Sequence, residues 1–253
     1  MKSLSKVRFL VSVLIPFLMF VLVTQTNARE KNEVDEFKQL ARFEEDITGD
    51  GMKETIELKA ISLSDTYYKD VKVVITTTEQ KRWEIPYQGG YEPSLQLIDL
   101  NNDETSELFF QSATHPNGHS YKYYVHSLKD GNLTEIELPT TQGTKGTFID
   151  GFKAELQLTP HSNPIIIDLQ ERSKDYIRRH FYNKKGTIIK DIPVIVHPIT
   201  SFEPLFIRNN KGYSLKSYQQ VSDGVHQIGM IETLWYNENN RWIILKTKWI
   251  PST

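Results

Sequence analysis

The clearest chemical pattern in the sequence is an acidic loop, Asp46-Ile-Thr-Gly-Asp-Gly-Met-Lys-Glu54. Oxygen-bearing side chains stand at its first, third, fifth and ninth positions, and the seventh residue offers its carbonyl between them. Those residues are Asp46, Thr48, Asp50 and Glu54, with the carbonyl of Met52 as the seventh. Ca²⁺ takes about 6–8 oxygens at about 2.3–2.6 Å, and a loop around it needs a glycine where it turns. Gly51 fills that sixth position, so the loop predicts a calcium site.

A second loop, Asp99 to Glu107, repeats the same register. Its corresponding residues are Asp99, Asn101, Asp103 and Glu107, with the carbonyl of Thr105. Glu104 replaces the glycine at the sixth position, where a positive φ is unfavourable for any residue with a Cβ. We therefore expect a strained or different turn and a weaker calcium affinity. For both loops the alternative is an acidic β-turn without an ion, because Asp, Asn and Gly form turns by themselves.

The element that follows the first loop is predicted to be a strand. Glu57 stands twelfth from Asp46, as the last ligand of an EF-hand would, but an EF-hand carries a helix on each side. Ile56 and Leu58 instead alternate with polar neighbours, which is the period of a strand, and the second loop has Phe110 in the twelfth place. We therefore expect a calcium loop of a β unit and not an EF-hand.

Segments rich in β-branched and aromatic residues recur between turn signals along most of the chain. The predicted strands are 55–58, 71–75, 95–98, 107–110, 121–125, 133–138, 154–158 and a final hairpin of 231–236 with 241–250. Only residues 173–181 could form a helical turn or two, and a strand starting at Tyr176 competes there. This pattern predicts a mostly β, antiparallel fold.

An internal period accompanies these strands. Turns that precede them start at residues 50, 103, 150 and 211, at intervals of 53, 47 and 61. Repeats of this length with several strands each are typical of propeller blades or stacked β units, although turns followed by strands can also look alike by chance. We expect a propeller-like arrangement of four degenerate blades or, failing that, a β-sandwich.

The two loops resemble the calcium loops of FG-GAP and VCBS-type repeats, the blades of integrin-α-like β-propellers. The pattern of those loops is Asp-x-Asn-Gly-Asp-Gly-x-x-Asp/Glu, and the likeness covers residues 46–54 and 99–107. It implies calcium between the blade strands. The chain also looks like uncharacterised secreted proteins of Gram-positive bacteria that carry such repeats, which implies an extracytoplasmic location and no known activity.

Residues 1–28 are interpreted as a secretory signal peptide. Three basic residues precede the apolar run Phe9–Val23, and the small residues up to Ala28 suit cleavage. The run is shorter than the roughly 20 residues that cross a bilayer, so cleavage is favoured over a retained anchor. Residues 29–39 are interpreted as a flexible charged leader and residues 40–253 as a single β-repeat domain.

Charge and cysteine content exclude several functions. The signal peptide carries three of the 30 basic residues and no acid, which leaves 27 against 32 acidic residues and a net charge of −5. A mildly acidic chain lacks the basic surface that binds nucleic acid. The chain has no cysteine, so disulfides and thiolate zinc sites are excluded, and stability must come from the core and from any bound ions.

Catalytic motifs are not found. The sequence has no Gly-x-Ser-x-Gly elbow, phosphate loop or dinucleotide glycine pattern. His115 and His119 have the spacing of a helical zinc pair, but Pro116 and Gly118 between them favour a surface hairpin. The tryptophans and the tyrosines of 121–124 could stack on sugars, although aromatic residues on strands more often pack in the core.

We therefore expect a secreted or cell-envelope calcium-binding protein, a binding or structural module rather than an enzyme. Its partner would be an unidentified envelope protein or glycan, and it would contact a membrane only if the signal segment is retained. Two other classes stay open. A cell-envelope hydrolase of carbohydrate or peptide, using acidic loop residues, predicts a cleft with paired carboxylates of raised pKa. A metal-free structural β domain predicts a melting temperature that calcium does not change.

Overall fold

The computed structural model describes residues 36–252, except residues 119, 142, 191–192, 208–211 and 239. The predicted signal peptide and most of the predicted leader lie outside these residues, as does His119 of the histidine pair. Within the described part, no helix combines the length and the apolar character needed to cross a membrane.

The described residues form three antiparallel sheets and one short α-helix, which confirms the prediction of a mostly β, antiparallel fold. The first sheet is a meander in chain order of β1 (Lys38–Glu45), β2 (Glu54–Ser62), β3 (Tyr67–Thr76), β4 (Arg82–Ile98), β5 (Glu107–Ala113), β6 (Tyr121–Ser127) and β7 (Thr134–Glu135). The second contains β8 (Lys145–Ile149), β9 (Lys153–Gln157) and β10 (Ile165–Asp168), and the helix α1 (Ser173–Arg178) follows it. The third contains β11 (Ile195–Phe206), β12 (Tyr213–Ser222), β13 (Gln227–Glu238) and β14 (Arg241–Pro251).

Two predicted segments differ from the structure. The strand expected at 133–138 is reduced to the two residues of β7. The amide of Ile136 still donates to the carbonyl of Val125 at 2.9 Å, and the side chains of Ile136 and Leu138 pack against a core shared with the third sheet. Residues 173–178 form α1, and the competing strand from Tyr176 is absent from this described segment. Tyr176 is fully buried there, so the helix is held by its packing.

Strand β4 is shared between two halves of the first sheet. Its first part pairs with β3 as far as Tyr91, and its last part pairs with β5 from Tyr91 onward, with a register shift between Tyr91 and Ser94. Apolar side chains from both halves, such as Ile56 and Phe110, are buried in one core cluster. The sheet is therefore folded over at β4, and connections that would lie at opposite ends of a flat meander come together.

The third sheet contacts both of the others. Trp235 and Leu215 pack with Leu100 and Phe109 of the first sheet, while Val221 and Ile231 pack with the second sheet and α1. The predicted repeat period does not divide these sheets, because the turns at residues 50 and 103 both lie in the first one.

Candidate functional site

The two acidic loops occupy equivalent places in the chain. Loop 1 (residues 46–54) joins β1 to β2, and loop 2 (residues 99–107) joins β4 to β5. In each case the ninth residue, Glu54 or Glu107, is the first residue of the following strand. The strand predicted after loop 1 and the strands predicted on both sides of loop 2 are confirmed, whereas β1 was not predicted.

Loop 1 is held by hydrogen bonds from its own backbone to its aspartates. Oδ1 of Asp46 accepts the amide of Gly49 at 2.7 Å, and Oδ2 accepts the amide of Gly51 at 2.7 Å. Oδ1 of Asp50 accepts the amide of Met52 at 2.7 Å. The first and fifth residues therefore shape the turn.

Loop 2 uses its first and fifth residues in the same way. The two carboxylate oxygens of Asp99 accept the amides of Asp103 and Glu104, each at 3.0 Å. Oδ1 of Asp103 accepts the amide of Thr105 at 3.0 Å. The bond from the sixth amide to the first aspartate is kept although Glu104 replaces glycine, whereas Oδ1 of that aspartate accepts the fifth amide in loop 2 and the fourth in loop 1.

The side chain of the ninth residue accepts a hydrogen bond from the backbone amide of the second residue in each loop. Oε2 of Glu54 accepts the amide of Ile47 at 3.0 Å, and Oε2 of Glu107 accepts the amide of Leu100 at 2.7 Å. Ile47 and Leu100, the second residues of the two loops, have no solvent exposure. An apolar anchor and a buried glutamate thus fix each loop to the sheet.

The loops also share their backbone conformation. The fourth and sixth residues have a positive φ in both, at 79° and 86° for Gly49 and Gly51 and at 60° and 70° for Asn102 and Glu104. The strain expected at Glu104 is therefore present, but the turn is not a different one. Asn tolerates this region better than most residues, whereas Glu has no local compensation for it.

The fold brings the two loops side by side. A methyl group added at Gly49 would lie 3.4 Å from Oγ1 of Thr105. A turn formed by residues 129–131, which we call the 129–131 turn, lies against both loops, and its Asp130 amide donates to the carbonyl of Thr48 at 2.9 Å. Asp130 has a φ of 55°, so this turn too is held in the left-handed region.

Loop 1 concentrates negative charge. Backbone amides, chiefly those of Gly51 and Gly49, outweigh desolvation and lower the pKa of Asp46. Burial, and then the charges of Asp50 and Asp46, raise the pKa of Glu54. Among the described residues, no lysine or arginine forms an ion pair with these three carboxylates. A divalent cation would therefore relieve the repulsion among these three carboxylates, which no basic side chain of the described residues neutralises.

Loop 2 already contains a cation. Nζ of Lys129 lies 3.0 Å from Oδ2 of Asp103 and donates to the Asp103 carbonyl oxygen, also at 3.0 Å. The hydrogen bond to Asp103 is the main cause of the raised pKa of Lys129. The two loops thus agree in shape and differ in charge.

Glu107 is the most perturbed carboxylate of the site. It has no solvent exposure, and burial raises its pKa to about 7. Among the described residues, its Oε1 atom has no hydrogen-bond partner, and neither does the side-chain amide of Asn237, which is also buried. The backbone carbonyl of Asn237 accepts from Asn102 at 3.3 Å, which ties loop 2 to the end of β13. An unpartnered buried acceptor fits a proton or a cation beside it.

A pocket of about 370 Å³ lies beside loop 1. Asp50, Glu79 and Asp130 contribute to its walls, together with Trp83. Nζ of Lys81 lies 4.5 Å from the centre of the Trp83 ring, a cation–π distance. The pocket offers an aromatic surface and polar groups next to the predicted calcium loop.

A larger open groove of about 1090 Å³ runs between α1, the β12–β13 turn and the end of β14. Asp175 lies in its wall, and Asp223 is buried behind it. Hydrogen bonds from Arg178 and Arg179 outweigh desolvation and lower the pKa of Asp175, and backbone amides and Arg179 do the same for Asp223. A general acid needs a raised pKa, so this pair does not have the property that the hydrolase alternative predicts.

The structure brings the predicted residues of the two loops into one region, but their carboxylates do not converge on one point. No group of three or more His, Asp or Glu side chains in the described residues is arranged to hold a metal ion.

Asp150, in the third of the predicted repeat turns, accepts the amide of Ile188 instead of an amide of its own turn. Sequence reasoning missed Lys129, because its partner Asp103 is 26 residues away and no local pattern links them.

Two comparisons with known proteins give a match, one to a family model and one to a single protein. Residues 142–250 match the family model described as the YybI C-terminal domain, a region that contains the second and third sheets but neither acidic loop. The chain is also similar to the uncharacterised protein YybI of Bacillus subtilis (strain 168), with 22% identity over 199 residues, which is 75% of this chain and 76% of that protein. No solved structure matches the chain.

Proposed function

We propose that the protein is an extracytoplasmic, calcium-binding β protein that acts as a non-catalytic structural or binding module, with Ca²⁺ held by loop 1. The ligands would be the side chains of Asp46, Thr48, Asp50 and Glu54 and the carbonyl of Met52. The observation that carries the proposal is the uncompensated charge of loop 1. Three carboxylates lie within one nine-residue loop whose backbone is already ordered, and no basic side chain of the described residues forms an ion pair with them.

The effect of calcium would be structural. By neutralising Asp46, Asp50 and Glu54, the ion would stabilise the turn that sets the register of β1 against β2. A ligand that binds only the native state adds about 2.7 kcal/mol at 100 times its dissociation constant. For a chain of this size that corresponds to roughly 5–11 °C in melting temperature.

Thermal unfolding tests this role directly. The chain without its predicted signal peptide is melted in calcium and in chelator, together with Asp50→Ala. Asp65→Ala is the matched control, since Asp65 lies in the exposed β2–β3 turn. We expect calcium to raise the midpoint of the native chain and of the control, but not that of Asp50→Ala. An unchanged midpoint of the native chain would remove the proposal and favour a metal-free structural domain.

The pocket beside loop 1 is the place where an envelope glycan would bind. Trp83 supplies an aromatic surface, and Asp50, Glu79 and Asp130 supply hydrogen-bond acceptors for hydroxyl groups. Fluorescence of the tryptophans during titration with cell-wall glycan fragments tests this, with Trp83→Phe against Trp242→Phe. Quenching that persists in Trp83→Phe would place the glycan elsewhere.

We also propose a propeller-like arrangement of the strands. In support of it, β11–β14 form a four-stranded antiparallel meander, which is the strand number of a propeller blade. The folding of the first sheet over β4 favours the sandwich alternative for that half. The location outside the cytoplasm rests on the signal-peptide pattern of residues 1–28.

A further inference from the structure

The two acidic loops differ at their fifth residue. In loop 1, Asp50 accepts the amide of Met52 through Oδ1, and no donor from the described residues bonds to its Oδ2. In loop 2, Oδ2 of Asp103 accepts two donors, Nζ of Lys129 at 3.0 Å and Nδ2 of Asn101 at 3.1 Å. The oxygen that is free in one loop is therefore saturated in the other.

Lys129 is positioned by the backbone around it. The amide of Lys129 lies 3.4 Å from Oγ of Ser127, and its ammonium group also bonds to the carbonyl of Asp103. The next residue, Asp130, binds the carbonyl of Thr48 in loop 1. The lysine thus reaches loop 2 from a turn that is attached to loop 1.

We propose that Lys129 is the resident cation of loop 2, neutralising Asp103 as Ca²⁺ neutralises Asp50 in loop 1, so that the chain binds one calcium ion and not two. An ammonium group is a compact positive charge with three donors, and it can neutralise a carboxylate without the 6–8 oxygens of a calcium shell. Calcium in loop 2 would have to displace this ammonium and break the Asn101 hydrogen bond. In loop 1 the same ion meets a free oxygen.

The inference rests on the proposed function only for the count of one ion in loop 1. The claim about loop 2 stands by itself, because it concerns what Lys129 prevents. Removal of the ammonium should open loop 2 to calcium, since its backbone already has the conformation of loop 1 and Oε1 of Glu107 is left without a partner.

Isothermal titration of the chelator-treated chain with CaCl₂ measures the stoichiometry. We expect one ion for the native chain and two for Lys129→Gln. Lys81→Gln is the matched control, because Lys81 lies beside loop 1 on Trp83 and forms no ion pair with loop 2 in the described residues. It should bind one ion. Asp50→Ala should bind none, and Asp50→Ala with Lys129→Gln should bind one.

The outcomes separate the two proposals. Two ions in the native chain, or equal numbers of ions in the native chain and in a folded Lys129→Gln, would overturn the role of Lys129. No ion in the native chain with one in Lys129→Gln would support Lys129 and overturn the calcium site of loop 1. If Lys129→Gln fails to fold, Lys129→Ala, which also lacks the ammonium group, takes its place with the same expected stoichiometry.

Discussion

Gly51 and Glu104 occupy the same position in two loops and adopt the same left-handed backbone, with φ of 86° and 70°. This backbone region is open to glycine and strained for a residue that has a Cβ. Each residue is followed three positions later by the last residue of its loop, and in both loops its amide donates to Oδ2 of the first aspartate. The loop architecture is therefore strong enough to hold a glutamate in a conformation that it disfavours.

Glu104→Gly should stabilise the protein. It removes the strain of a positive φ, which is about 1–3 kcal/mol, against the larger conformational entropy of glycine in the unfolded chain, about 0.5–1 kcal/mol. We expect a gain of about 1 kcal/mol in the free energy of unfolding, measured by urea denaturation in chelator.

Gly51→Ala is the matched control for that change. A Cβ at Gly51 meets no atom within 4 Å, so only the backbone conformation opposes it. The expected loss is about 1 kcal/mol. If both variants unfold at the native urea concentration, the positive φ carries no measurable strain.

Stability in chelator should depend on pH through Glu107. Burial raises the pKa of Glu107 to about 7 in the folded protein, above the ordinary glutamate value of 4.5. Between these two pH values the native state therefore holds a proton that the unfolded chain has released. Stability is then fully present below pH 4.5 and falls as the pH rises towards 7, by at most about 1.4 kcal/mol per unit. Urea denaturation at pH 5, 6, 7 and 8 measures this slope.

Glu107→Gln should flatten the slope, because the amide does not titrate. Glu79→Gln, at an exposed turn, serves as the control and should keep the native slope. Identical slopes for all three proteins would mean that Glu107 ionises in the folded protein as it does in the unfolded chain.

Arg179 should be needed for the stability of the region behind the large groove. The Asp223 side chain has no solvent exposure, and its Oδ1 lies 3.0 Å from Nη1 of Arg179. Arg179→Met would leave a buried carboxylate uncompensated, at a loss of about 3 kcal/mol. Adding Asp223→Asn should recover part of that loss, which a double-mutant cycle in urea would measure.

Arg178→Met provides the comparison. Arg178 is 80% exposed and pairs with Asp175 on the surface, so we expect a change below about 1 kcal/mol. Equal losses for Arg178→Met and Arg179→Met would show that burial of Asp223 does not set the effect.

Trp235 should be the main side chain that holds the first and third sheets together. It is 1% exposed, packs in their shared core, and donates from Nε1 to Oγ of Ser217 at 2.7 Å. Trp235→Ala is expected to lose about 3–5 kcal/mol in chemical denaturation. Trp242→Ala, at a half-buried position of the same cluster, should lose less, and the reverse order would contradict this assignment.

The local features of this protein could be predicted from its sequence. Alternation of apolar and polar residues identified β2, since Ile56, Leu58 and Ala60 all face the core. The acidic loops are likewise local, because Asp46 and Asp99 bind amides no more than five residues away. Interactions over so short a range depend on residue type and spacing, which the sequence contains.

The electrostatic character of the site was decided by the tertiary structure alone. Lys129 meets Asp103 because the start of β5 pairs with the end of β6, and Asn102 meets Asn237 across 135 residues. The burial that raises the pKa of Glu107 likewise depends on the residues packed over loop 2. Charge and desolvation act through space and not along the chain, so two loops with one sequence pattern and one backbone conformation have different charged neighbours.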